Sequence, residues 1–106
     1  MTIALHTTYI HDDQVSLRKG RYGDGSTALV AYSEYGEVLA KLTVCLQDYG
    51  LKPRDEQHVF IKNYSENEGV LAGLQTAGVI SAPLRTVECG WSEAYECQLL
   101  IEVDEL

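Results

Sequence analysis

The sequence predicts one α+β domain over residues 1–106, an antiparallel sheet built from a meander and a C-terminal hairpin with one α-helix packed on it. Three observations carry that expectation. Short β-branched and aromatic runs alternate with glycine- and aspartate-bearing turns through the first 46 residues. Val38, Ala40, Leu42, Val44 and Leu46 fall on one strand face by the period of two. Between His58 and Ile80 an apolar run hands over to a helix with a start signal and a stop signal. At 106 residues the chain can enclose one hydrophobic core and not two.

Taken in order, Thr2 to Ile10 reads as the first strand and His11-Asp12-Asp13-Gln14 as a polar turn. Val15 to Tyr22 is the second strand, closed by Gly23-Asp24-Gly25. Thr27 to Ser33 is the third, followed by a hairpin at Glu34-Tyr35-Gly36. Glu37 to Leu46 completes a four-stranded meander. Gln47 to Arg54 is a loop, with Pro53 near its end, and Glu56 to Lys62 is a fifth strand centred on His58-Val59-Phe60-Ile61.

Ser65-Glu66-Asn67-Glu68 has the S-x-x-E form of a capping box, so the helix is expected over Ser65 to Ala77. Val70, Leu71, Leu74 and Ala77 follow at helical spacing. Gly78 stands where a left-handed residue ends a helix, and Val79 and Ile80 are placed to fold back onto it. Ser81-Ala82-Pro83 breaks the chain. Leu84 to Gly90 and Tyr95 to Val103 form a terminal hairpin around Trp91-Ser92-Glu93-Ala94. A three-residue loop, Ser92 to Ala94, sets Cys89 opposite Cys97. Leu99, Ile101 and Val103 share one strand face. The expected core is Val38, Ala40, Leu42, Val44, Val59, Ile61, Leu71, Leu74 and Ile101.

Two of these blocks resemble a family of small bacterial domains of unknown function, carried largely on plasmids, integrative elements and phages. Gly36-Glu37-Val38-Leu39-Ala40-Lys41-Leu42-Thr43-Val44-Cys45-Leu46 is similar to that family's GEPxATLTVNL strand. Phe60-Ile61-Lys62-Asn63-Tyr64-Ser65-Glu66-Asn67-Glu68-Gly69 resembles the block in which an F-[IV]-x-[NT] strand leads into a short helix ending in glycine. The Gly90, Tyr95 and Cys97 portion resembles the family's C-terminal strands more loosely. The resemblance implies a compact α+β fold and a mobile-element origin. It carries no catalytic residues.

Charge narrows the functional classes. Sixteen acids against eight bases give a net charge of −8. Residues 1–62 are nearly balanced, whereas residues 63–106 hold eight acids and Arg85 as their one base. Such a half disfavours nucleic acid and anionic membrane and favours a partner with a basic surface. Arg18-Lys19-Gly20-Arg21-Tyr22 mixes bases with an aromatic, but three charges on so acidic a chain contribute little counterion release. Direct nucleic-acid binding is therefore not expected. Residues 1–6 carry no basic n-region and no apolar run approaches a membrane span, so a soluble cytoplasmic protein is expected. Three cysteines without C-x-x-C spacing fit a reducing compartment.

No metal, cofactor or catalytic centre is expected. Cys89 and Cys97 have no neighbouring ligand in sequence to complete a zinc site, with His58 the nearest candidate to join them. Cys45 as nucleophile with His6, His11 or His58 as base gives the alternative of a small thiol- or His-dependent enzyme, without a nucleophile elbow, H-E-x-x-H or phosphate loop to accompany it.

The candidate binding surface combines acids and aromatics: Glu66, Glu68, Glu88, Trp91, Glu93, Tyr95 and Glu96. Carboxylates on a rigid surface can imitate phosphate spacing and occupy a basic groove, with aromatics as anchors. A plainer account sets Glu66 and Glu68 at the positive helix end and Trp91 within the hairpin packing. The expected function is a non-enzymatic protein-binding protein. An inhibitor of a host defence nuclease, anti-CRISPR-like, is the first target class to test, and a structural adaptor without inhibitory role is a further alternative.

Overall fold

The structure, a computed structural model, describes residues 2–7 and 10–105. Positions 8 and 9, expected in the first strand, lie outside the described residues. The expected α+β class, meander, terminal hairpin and packed helix are present, with the strands divided between two antiparallel sheets. β1 (Thr2–His6), β2 (His11–Arg21), β3 (Thr27–Tyr32) and β4 (Val38–Lys41) form a meander in chain order. β5 (His58–Lys62), β6 (Arg85–Cys89) and β7 (Ser92–Gln98) form the second sheet, in the order β5-β7-β6.

The polar run His11 to Gln14 is not the first turn. Leu5 pairs with Asp12 and His6 with His11, so that run opens β2. The reversal falls earlier, where the Thr7 N–H donates to the Ile10 carbonyl at 2.7 Å and the Ile10 N–H to the Thr7 hydroxyl at 3.1 Å. Polarity marks an exposed edge here as readily as a bend.

The long strand expected over Glu37 to Leu46 is also shorter, because the chain changes sheets partway along it. The change comes at Leu42: its N–H still donates to the Leu29 carbonyl of β3, while its carbonyl accepts from the Lys62 N–H of β5 and the Val44 N–H donates to the Phe60 carbonyl. Each sheet has its own inner face, so the single apolar face dissolves. Leu42 and Thr43 are both buried, while Val38, expected in the core, is 64% exposed. Thr43 sits at the crossover, accepting from the Leu29 N–H at 3.1 Å and bonding the Tyr22 hydroxyl at 2.8 Å.

The helix α1 spans Val70–Thr76 and starts later than the capping box implies. Residues Ser65–Asn67 form a separate 3-10 turn. Ser65 has φ of 54°, left-handed rather than the extended geometry a capping serine needs, and the Glu68 N–H closes the turn onto the Ser65 carbonyl. Gly69 is the residue before α1, and the N–H groups there are satisfied from a distance. Asn63 Oδ1 accepts from the Gly69 N–H at 3.1 Å and the Leu71 N–H at 2.9 Å. The stop is as expected. Gly78, at φ of +75°, donates to the Gln75 carbonyl and the Val79 N–H to the Leu74 carbonyl, the two bonds of a Schellman motif.

Ile3, Leu5, Val15, Leu17 and Leu29 of the meander meet Val59, Ile61 and Cys97 of the second sheet, with Val70 and Leu74 of α1 closing the core. Each fully buried aliphatic side chain contributes roughly 1.5–3 kcal/mol. The helix crosses β1 at Gly73, where a Cβ would stand 2.8 Å from Leu5 Cδ1. Of the expected core, Leu42, Val59, Ile61 and Leu74 are deeply buried and Ala40, Leu71 and Ile101 are partly so. Val44 joins a second cluster on the opposite face of β5-β7-β6, where Leu46, Phe60 and Ala94 pack together. Leu99 and Val103 are buried and Ile101 is half-buried, but β7 ends at Gln98.

Candidate functional site

The β6–β7 hairpin loop begins two residues earlier than its sequence suggests. Cys89 pairs with Ser92, so the loop is Gly90-Trp91 and not Ser92 to Ala94. Gly90 has φ of +70° and Trp91 is not in the positive region, the pattern of a two-residue type II′ turn with glycine leading. The signal was legible: Gly-X before a strand of alternating polarity. This register separates the two cysteines. Cys89 stands at the hairpin end, while Cys97 pairs with Val59 inside the core. Its thiol is pushed up to about 11 by burial and then by the nearby Glu96 carboxylate.

At that tip Trp91 is fully exposed, at 107% relative accessibility, and is not a packing residue. The cross-strand register puts Lys62, the end of β5, opposite Ala94, so the segment after β5 leaves from the same end of the sheet. Tyr64 reaches back to the tip, its hydroxyl accepting from the Cys89 thiol at 3.9 Å. Burial, and then the Cys89 contact, push that hydroxyl up to about 12. Tyr49, from the 3-10 turn Gln47–Tyr49, is half exposed with its hydroxyl against Gly90.

The acids divide into two groups. Glu88 and Glu93 are exposed and directly opposite each other across the hairpin. Glu68 is exposed as well, and among the described residues no ion pair engages these three. Glu66 accepts from Lys62 Nζ at 2.5 Å, which holds its carboxyl below the usual range, and that ammonium lies 5.4 Å from the centre of the Tyr64 ring.

Glu96 does not belong to the surface at all. It is completely buried and serves as a clamp. Glu96 Oε2 accepts from the Arg54 N–H at 2.8 Å, and Oε1 accepts from Arg85 Nε at 2.6 Å. Burial drives this carboxyl up, but the Arg54 N–H and the two guanidiniums outweigh it and hold the group below its ordinary value. Alternation alone could not distinguish Glu96 from its exposed neighbours, because its partners lie 42 and 11 residues away. Tyr95 is half-buried against the main core and contributes no free ring to the tip.

The chain matches no protein-family model, no curated protein and no solved structure.

Cys45 lies elsewhere, in a groove of about 380 Å³ lined by Tyr22, Lys41, Lys62, Tyr64 and Asn67 among others. No histidine lines that groove. His58 is buried and bonds Asp55 Oδ1 through Nδ1 at 2.6 Å, while the His6 and His11 rings lie 5.9 Å apart, tilted 45° to each other, on neighbouring strands. Among the described residues no group of three or more His, Cys, Asp or Glu is placed to hold a metal ion, and no helix is long and apolar enough to cross a membrane.

Proposed function

We propose that this is a non-enzymatic, cytoplasmic binding protein that docks the β6–β7 tip onto a basic surface of another protein. The observation that carries the reading is Trp91, a fully exposed indole at the apex of a two-residue turn beside the unpaired acids Glu88 and Glu93. Exposing a whole Trp side chain forgoes the burial that stabilises most of them, and Trp is the residue type most enriched among binding hot spots. Like-charged residues directly opposite on a hairpin are a local cost to stability that a cationic partner would remove. The mobile-element resemblance directs the search to a host target, and a nucleic-acid-handling defence complex offers the basic groove such a surface fits.

Affinity capture from a bacterial host lysate tests this, comparing wild-type, Trp91→Ala and Tyr35→Ala baits. Tyr35 is 82% exposed on the β3–β4 hairpin and is the control aromatic. A protein retained by wild type and Tyr35→Ala but lost from Trp91→Ala supports the reading. Loss from Tyr35→Ala alone moves the interface to the meander and contradicts it.

A further inference from the structure

The free edges of the two sheets are not equally open. At β1 the residue leading into α1 comes close at one end, since a Cβ on Gly69 would stand 3.2 Å from the His6 carbonyl oxygen, and α1 flanks the rest of the strand across a groove of about 590 Å³. At β4 the Asn67 side-chain amide donates to the Lys41 carbonyl at 2.7 Å, and the chain beyond bonds β5. β6 is covered by neither device. It pairs only with β7, and among the described residues no backbone bond or isolated bridge reaches its outer side.

The ladder fixes which groups face outward. The Leu99 N–H donates to the Gln57 carbonyl, so by antiparallel alternation Cys97, Tyr95 and Glu93 turn their peptide groups to β5. Those of Gln98, Glu96 and Ala94 face β6, in accord with the bonds from Ser81 to Gln98 and from Leu84 to Glu96. Arg85, Val87 and Cys89 return these bonds, which leaves the N–H and C=O of Thr86 and Glu88 on the open edge.

Charge on an edge strand ordinarily discourages pairing. Here Arg85 is paired with the buried Glu96 carboxylate while remaining about half exposed, with its guanidinium 5.5 Å from the centre of the Phe60 ring. The unpaired charge along the edge is Glu88, with Glu93 beside it. That repels an acidic strand, a second copy of this acidic edge included, and accepts a basic one.

Resting on the proposed function above, we infer that the partner supplies a basic extended segment, which adds to β6 as an outer strand through Thr86 and Glu88 while Trp91 grips its flank. Main-chain bonds would then give affinity, and the acid pair would select lysine or arginine at alternate positions.

The probe is a capped heptapeptide of alternating Lys and Val, with two analogues methylated at odd or at even backbone nitrogens and a Glu-Val counterpart. Trp91 is the single tryptophan, so its emission reports binding at the tip, and amide exchange reports the edge. The expected result is binding of the Lys-Val peptide and not of Glu-Val. One methylated analogue should bind roughly tenfold more weakly and the other like the parent. Exchange should slow at Thr86 and Glu88. If both analogues bind like the parent or weaken alike, and exchange at Thr86 and Glu88 is unchanged while Trp91 emission still responds, strand addition is overturned and the tip reading stands. If no basic peptide alters Trp91 emission or these amides, both are overturned.

Discussion

Glu88 on β6 lies directly opposite Glu93 on β7, two exposed carboxylates with no cation between them among the described residues. A hairpin selected for stability alone gains from opposite charges at such a pair. Glu93→Lys should therefore stabilise the fold by about 0.5 kcal/mol while weakening attachment to a basic partner. Chemical denaturation beside a binding titration checks both signs. A variant that is more stable and binds equally well would leave the acid pair without a functional role.

Trp91→Ala should leave stability within about 0.5 kcal/mol of wild type, because a fully exposed ring loses no packing. A thermal melt settles this before any binding experiment is read. A large drop would mean that the indole packs in solution.

The Glu96 clamp governs acid stability. Its carboxyl is held below its ordinary value in the folded state by the Arg54 N–H and the two guanidiniums, which outweigh burial, so its contribution is complete above the unfolded value and is lost as pH falls through the folded one. Glu96→Gln should cost about 2–3 kcal/mol near neutral pH, at the low end for a broken buried pair since both arginines are about half exposed and can rehydrate. The gap between variant and wild type should narrow on acidification. Urea melts across the acid range measure it, and a gap constant with pH would rule out a charged clamp.

At the helix start, Asn63→Ala should cost about 1–2 kcal/mol, because two N–H groups lose their acceptor. Ser65→Ala should change stability by less than about 0.5 kcal/mol. The opposite order of effects in paired melts would restore the capping box.

Much of this was legible in the residues, and what was missed shares a cause. The meander, the Schellman stop at Gly78 and the buried centre of β5 follow from local signals, alternation and a turn glycine, which act within a few residues. Ser65, Val38 and Glu96 were misplaced because contacts distant in sequence decide each. Asn63 caps the helix from seven residues before its start, and the crossover to β5 exposes Val38. Arg54, from 42 residues away, draws Glu96 inward. Of the candidate surface, Glu88, Glu93 and Trp91 come together at one tip, Glu66 is tied to Lys62, and Tyr95 and Glu96 turn into the fold.

Association kinetics with a captured partner test the central claim most directly, followed by Trp91 emission in stopped flow from low to high salt. Reversal of Glu88 and Glu93 to Lys should slow association by roughly tenfold or more at low salt, and the difference should fade as salt screens the charges. Reversal of Glu34 and Glu37, on the β3–β4 hairpin beside Tyr35, should leave the rate unchanged. Equal slowing by both pairs, or a rate indifferent to salt and to Glu88 and Glu93, would contradict docking through the β6–β7 tip.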